Sequence, residues 1–160
     1  HAPFPALAVD RHWHLVAANA AVGALIAGAD PALLRPPVNV LRLSLHPAGL
    51  APAIVNLAEW RAHLLDRLKR QVEATADPVL FDLLGELTAL PAPRQPARTP
   101  LAAAASIAVP LRLRRGDAEL SLLSTTTVFG TPVDVTLSEL ALETFFPADA
   151  GTAAALAALA

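Results

Sequence analysis

The chain has 160 residues, 54% hydrophobic and only 16% charged, with 12 Lys and Arg against 14 Asp and Glu and a formal charge of −2. That balance argues against a nucleic-acid surface of its own, and the absence of cysteine excludes disulfides, thiolate metal sites, iron–sulfur clusters and cysteine nucleophiles. Pro, Arg, Asp or His interrupts each apolar run before the roughly 18 residues a membrane span needs, so no membrane partner is expected.

One domain over residues 1–160 is the natural count, and a chain of this size buries roughly two-thirds of its extended surface. So apolar a composition implies either a large core or a cavity with apolar walls. The sequence starts at His1 and holds no methionine. It reads as a piece of something longer, with no signal peptide at its start and a cytoplasmic setting.

Leu7 to Val9 and His14 to Ala17 are short extended segments around a tight connection at Asp10-Arg11-His12-Trp13. Asn19 is placed to cap a short helix carrying Val22, Leu25 and Ile26 and stopping near Gly28. Asp30-Pro31 starts another helical turn, and Pro36-Pro37 forces an extended break. A short helix through Asn39, Leu41, Ser44 and Leu45 ends at His46-Pro47.

The longest amphipathic pattern follows. Asn56 with Glu59 three residues on has the form of a capping box. Leu57, Trp60, Leu64, Leu68 and Val72 then lay one apolar stripe along a helix of about five turns. The opposite face carries Arg61, Asp66, Arg67, Lys69 and Arg70, with His63 on the solvated side. Asp77-Pro78 launches a second helix through Leu80, Phe81, Leu84, Leu87 and Leu90, antiparallel to the first across a Thr75-Ala76 turn. Pro91 to Pro100 reads as an extended linker.

The period then changes from 3.6 to 2. Ile107, Val109, Leu111 and Leu113 alternate inward, Arg115-Gly116-Asp117 turns the chain, and a second strand runs from Leu120 to Val128. Gly130-Thr131-Pro132 turns it again into a third strand, Thr136 to Phe146, before an alanine-rich helix from Ala150 to Ala160. Pro110 lacks a donor, which places its strand at an edge or a bulge. The order predicts an α+β fold: a PAS-like five-stranded antiparallel sheet with an inserted helical block and an apolar pocket between the layers.

The segments PALAVDRHWHLVAANAAVGALI, NVLRLSLHP, NLAEWRAHLLDRLKRQ and TTTVFGTPVDVTLSELALETFFPAD resemble, in order and over nearly the whole chain, the MmyB-like ligand-binding domain. That domain follows an XRE-type helix-turn-helix in many bacterial transcription regulators. The resemblance implies a PAS-like fold holding a small hydrophobic ligand such as a fatty acid, with no other cofactor. It also implies DNA binding only through a helix-turn-helix outside these residues. A homodimer is the expected assembly, and a ligand-free homodimerisation module is the alternative reading.

Candidate ligand contacts are Asn39, Arg42, Leu45, His46, Trp60, Leu64, Thr126, Phe129 and Phe145. Asn39 and Arg42 lie one helical turn apart, and Arg42 offers a carboxylate a charge-assisted pair of hydrogen bonds. The bland reading ties Arg42 to a carbonyl or an acid such as Asp10. Trp60, Leu64, Thr126, Phe129 and Phe145 line a pocket or simply fill core. His46 is either a polar gate or a helix end. His12 and His14 alternate on the hairpin, but the sequence offers no third ligand beside them, so no metal is expected. There is no G-x-S-x-G, Gly-rich phosphate loop or H-E-x-x-H, and no enzyme or catalytic residue is expected. An enzyme using the same cavity would need a titratable group inside it, for which His46 is the one candidate by name.

Overall fold

The computed structural model describes residues 1–91, 109–128 and 140–159. Five strands, β1 (Ala6–Val9), β2 (Leu15–Ala18), β3 (Leu111–Arg115), β4 (Ala118–Val128) and β5 (Ala141–Pro147), form one sheet in the order β2-β1-β5-β4-β3. Every neighbouring pair is antiparallel. Among the described residues the helices are α1 (Ala20–Ile26), α2 (Val40–Leu45), α3 (Leu57–Thr75), α4 (Pro78–Ala89) and α5 (Ala150–Leu159), with 3-10 turns at Pro31–Leu34 and Ala51–Ala53. The expected α+β plan, with helices inserted between the second and third strands, is the one the chain adopts. The linker at 92–100, Ile107, Phe129, the Gly130-Thr131-Pro132 turn and the start of the last strand at 136–139 lie outside the described residues.

Each sheet edge is covered at one end, which reduces the unpaired backbone that an open edge would present. At the β2 edge Leu15 N donates to Val38 O at 2.8 Å, and His14 bridges Asn39. At the other, Val55 N donates to Arg112 O at 2.8 Å, and Ile54 bridges Leu113. Pro110 immediately precedes β3, the edge strand, where its missing N–H breaks no internal ladder.

The caps divide into two kinds. Asp30 accepts from Ala32 N and Asp77 from Val79 N, as expected, and Asn39, expected within its helix, instead caps it by accepting from Arg42 N. Asn19 and Asn56 stand at the N-cap position of their helices, yet neither caps with its side chain. Asn19 instead accepts from Ala6 N and donates to Phe4 O, bracing the β1 end. Asn56 donates to Pro110 O at 2.8 Å and accepts from Arg112 N at 3.1 Å, so the expected capping box becomes a clamp between α3 and the β3 edge. In each case the backbone beside the amide takes its oxygen and one N–H, so the oxygen is turned away from the helix N–H groups it would cap; the second N–H of Asn56 still reaches Glu59 Oε2 at 3.2 Å.

The apolar stripe of α3 is buried as expected at Trp60, Leu64 and Leu68. Two residues assigned to its polar face are not simply solvated. Arg61 donates to Leu87 O and Thr88 O at the C-terminus of α4, a cationic cap that also fixes the two helices antiparallel. His63 is half-buried with its ring tilted against Trp60, centroids 5.6 Å apart. Burial, then the nearby Arg67 and Arg70 charges, hold its pKa below the usual histidine value.

Candidate functional site

Between the inner face of the sheet and the helices lies a cavity of about 100 Å³. Leu7, Leu111, Leu113, Ser124, Glu143 and Phe145 form its sheet wall. Val22, Leu25 and Ile26 of α1, Val40, Leu41, Leu43 and Ser44 of α2, and Trp60, Leu64 and Arg67 of α3 form the helical wall, with Trp13, Leu15 and Leu50 between them. Trp60 Nε1 donates to Ser44 Oγ at 3.0 Å, so the indole keeps its polar edge satisfied while its ring faces the space.

One end of this apolar space is ionic. Arg67 Nη2 donates to Glu143 Oε1 at 2.6 Å and to Thr126 Oγ1 at 2.7 Å, and the Thr126 hydroxyl donates to the same Glu143 oxygen at 2.7 Å. Glu143 is only 5% exposed and is the one charged residue that is buried among the described residues. The Arg67 guanidinium also lies 4.5 Å from the centre of the Trp13 ring. Trp13 has a positive φ of 68°, unusual for a bulky side chain, and is held there by its indole N–H donating to Gln71 Oε1 at 2.8 Å. Beyond Arg67 and Trp13 a cleft of about 300 Å³ opens, lined also by Asp10, Gln71, Thr126 and Leu140. The two side chains are therefore a partition between an interior space and an outer one.

Of the expected contacts, Trp60, Leu64 and Phe145 come together in the cavity wall. Thr126 stands at the ionic end, on the outer side. Leu45 is 2% exposed and packs in the core behind the wall. Asn39 accepts from Arg42 N and donates to His12 O, tying α2 to the β1–β2 hairpin. His46 caps its own turn, Nδ1 accepting from Ala48 N. Phe129 lies outside the described residues.

Arg42 is at neither space. Its Nε and Nη2 grip the two oxygens of Glu86 at 2.6 and 2.7 Å, so the acid it meets within the chain is Glu86 of α4, not Asp10. The Arg42 hydrogen bonds hold the Glu86 carboxyl below the ordinary 4.5, against the opposing pull of burial. A group depressed on folding stabilises above its unfolded pKa, and that contribution is lost as pH falls through the folded value. Both side chains are more than a third exposed, so Arg42→Ala costs less than about 1 kcal/mol at neutral pH. Urea unfolding across pH 3 to 7 checks this: the gap to wild type narrows as the pH falls below the ordinary glutamate value of 4.5.

The residues missed in the sequence, Arg67, Glu143 and Trp13, carry the ionic end of the site. Trp60, Leu64, Arg67 and Gln71 fall at steps of four, three and four, which is itself a helical face. Glu143 alternates with Phe145 on one face of β5.

A curled five-stranded antiparallel sheet with helices closing an apolar cavity over one face is the build of a PAS-like ligand-binding domain. The family model of the MmyB-like transcription regulator ligand binding domain matches residues 1–159, and the chain belongs to that family, a regulatory ligand-binding domain of transcription regulators. No curated protein matches the chain. Among the described residues, no helix is long and apolar enough to cross a membrane.

Proposed function

We propose that this chain senses a small acyl ligand, a fatty acid or close relative, for a cytoplasmic bacterial regulator. In that reading the hydrocarbon occupies the cavity beneath Trp60, Leu64 and Phe145, and the acid head group meets Arg67 instead of Arg42. DNA contact belongs to a helix-turn-helix of the XRE type outside these residues, and the domain acts by binding rather than by catalysis.

The observation that supports it is the pairing of apolar walls with one ionic end, where Arg67 is held against Glu143 and Thr126. Both Arg67 bonds to Thr126 and Glu143 leave from Nη2, so the other guanidinium nitrogens are not engaged by that pair. A space of about 100 Å³ is of the order of the ~150 Å³ apolar cavity known to hold benzene. A chain longer than that must pass the Arg67–Trp13 partition into the outer cleft or push leucines aside. Ligand shifts the regulator only as far as it binds one arrangement better than the other. Two copies pairing through the outward sheet face, where Leu123, Leu142 and Phe146 are exposed, would supply those arrangements.

Native mass spectrometry of the 160-residue chain, with decanoic acid as the probe, tests both parts. The expected result is a dimer mass with one decanoate per chain. Leu64→Trp, which fills the cavity, abolishes the adduct, and Arg67→Gln weakens it about tenfold or more. Retention of decanoate by Leu64→Trp overturns the internal seat, and retention by Arg67→Gln overturns the head-group assignment.

A further inference from the structure

The strongest feature outside the cavity is at the β1–β2 hairpin, where Asp10, His12 and His14 each offer a ligand atom and these atoms all lie within 4.8 Å of one another. We propose that Asp10, His12 and His14, completed by Asp77 from the start of α4, bind a borderline divalent cation of the zinc type.

The spacing follows from the chain. Positions 10, 12 and 14 alternate through a tight turn, and Asp10 Oδ1 accepts from both His12 N and His14 N at 2.8 Å. Those two bonds fix the carboxylate and leave Oδ2 facing His14 Nδ1 at 3.1 Å. Asp77 is fixed in the same manner: Oδ1 caps α4 at Val79 N, and Oδ2 lies 2.8 Å from His12 Nε2. Tetrahedral zinc with ligands at ~2.0–2.1 Å separates neighbouring donors by about 3.3 Å. Two donor pairs, Asp10 with His14 and Asp77 with His12, are already near that distance, and the Asp10, His12 and His14 atoms lie within 4.8 Å of one another, so the side chains must draw together around the ion.

Hairpin closure does not require these imidazoles. Asp10 N donates to His14 O and Trp13 N to Asp10 O, both at 3.0 Å, and Asn39 Nδ2 donates to His12 O at 2.9 Å. The backbone, the Asp10 carboxylate and Asn39 hold the turn without the imidazoles, yet two histidines and two carboxylates converge from the hairpin connection and the start of α4. Two imidazoles with two carboxylate oxygens suit zinc-type ions better than calcium or magnesium, which prefer all-oxygen sets. On binding, the ring nitrogen turned to a carboxylate takes the cation, and the proton it carried passes to the other ring nitrogen or, where that one is already protonated, to solvent. His12 and His14 also border an open cleft of about 240 Å³ with Asp82 and Glu86, which supplies an entry path. The ion would sit beside Trp13, one residue from each histidine, and so adjoin the partition at the end of the cavity.

Titration of the 160-residue chain with Co²⁺, followed by visible absorption and by tryptophan fluorescence, reads the site directly. The expected result is one equivalent with the intense absorption of tetrahedral cobalt, displaced by Zn²⁺. His12→Gln and His14→Gln each weaken it more than about tenfold, with unchanged far-UV circular dichroism. His1→Ala, which removes the imidazole beside the N-terminal amine, leaves it unchanged. Failure to bind either cation, or equal binding by the His12→Gln/His14→Gln double variant, overturns the proposal.

Discussion

Glu143→Ala is expected to lower the unfolding free energy by about 3 kcal/mol, the low end of the range for stranding one half of a buried ion pair. Glu143 is 5% exposed and receives both the Arg67 guanidinium and the Thr126 hydroxyl on one oxygen. Truncation leaves Arg67 facing an apolar cavity with only the threonine and the Trp13 ring as partners. The loss stays at the low end because the Arg67 side chain is 26% exposed and can turn toward the outer cleft. Removing the pair together, as Glu143→Leu with Arg67→Leu, costs less than Glu143→Ala alone, since no charge is then left without its partner. Guanidinium unfolding of the three proteins checks this. A loss below about 1 kcal/mol for Glu143→Ala would mean that the pair is worth no more than a surface bridge.

The contrast with Arg42 explains what the sequence could and could not convey. Both arginines lie on helices beside apolar residues, and Arg42 looked the better placed because Asn39 and the apolar run around it suggested burial. The deciding partner of each is remote: Glu86 is 44 residues from Arg42, and Glu143 is 76 from Arg67. Helical and strand periodicity reports which face a residue shares with its neighbours, so Trp60, Leu64 and Phe145 were legible, as were the order of strands and helices along the chain and the caps at Asp30 and Asp77; Asn39, read as part of its helix, is in fact its cap. It carries no information on which distant acid meets which cation. The same limit applies to Asn56, whose capping role was displaced by a β3 edge that arrives more than 50 residues later. His12 and His14 lacked a third donor for a subtler reason. Asp10 reads as a turn residue, and Asp77 as a helix cap; each is that, with a second oxygen left over.

Gly49→Ala is expected to cost about 3 kcal/mol, at the upper end for a methyl group forced into packed structure. A Cβ at Gly49 would stand 2.2 Å from Leu43 O and 3.3 Å from His46 O, both backbone atoms of α2 and its C-cap. Neither can rotate away as a side chain could. Leu43 O is also the acceptor of Leu50 N at 2.9 Å, and Gly49 N donates to His46 O at 2.8 Å, so any shift that relieves the clash breaks the turn that folds back on α2. Nothing in His46-Pro47-Ala48-Gly49-Leu50 distinguishes this glycine from a loop residue chosen for flexibility. Its requirement is space, set by a backbone crossing. The consequence reaches the cavity, because Leu43, Ser44 and Leu50 all stand in its wall. Gly49→Ala should therefore lose stability and ligand together, whereas Leu64→Trp loses ligand alone. Thermal unfolding in parallel with the decanoate adduct separates the two, and a Gly49→Ala protein with wild-type melting would show that the turn after α2 can open without cost.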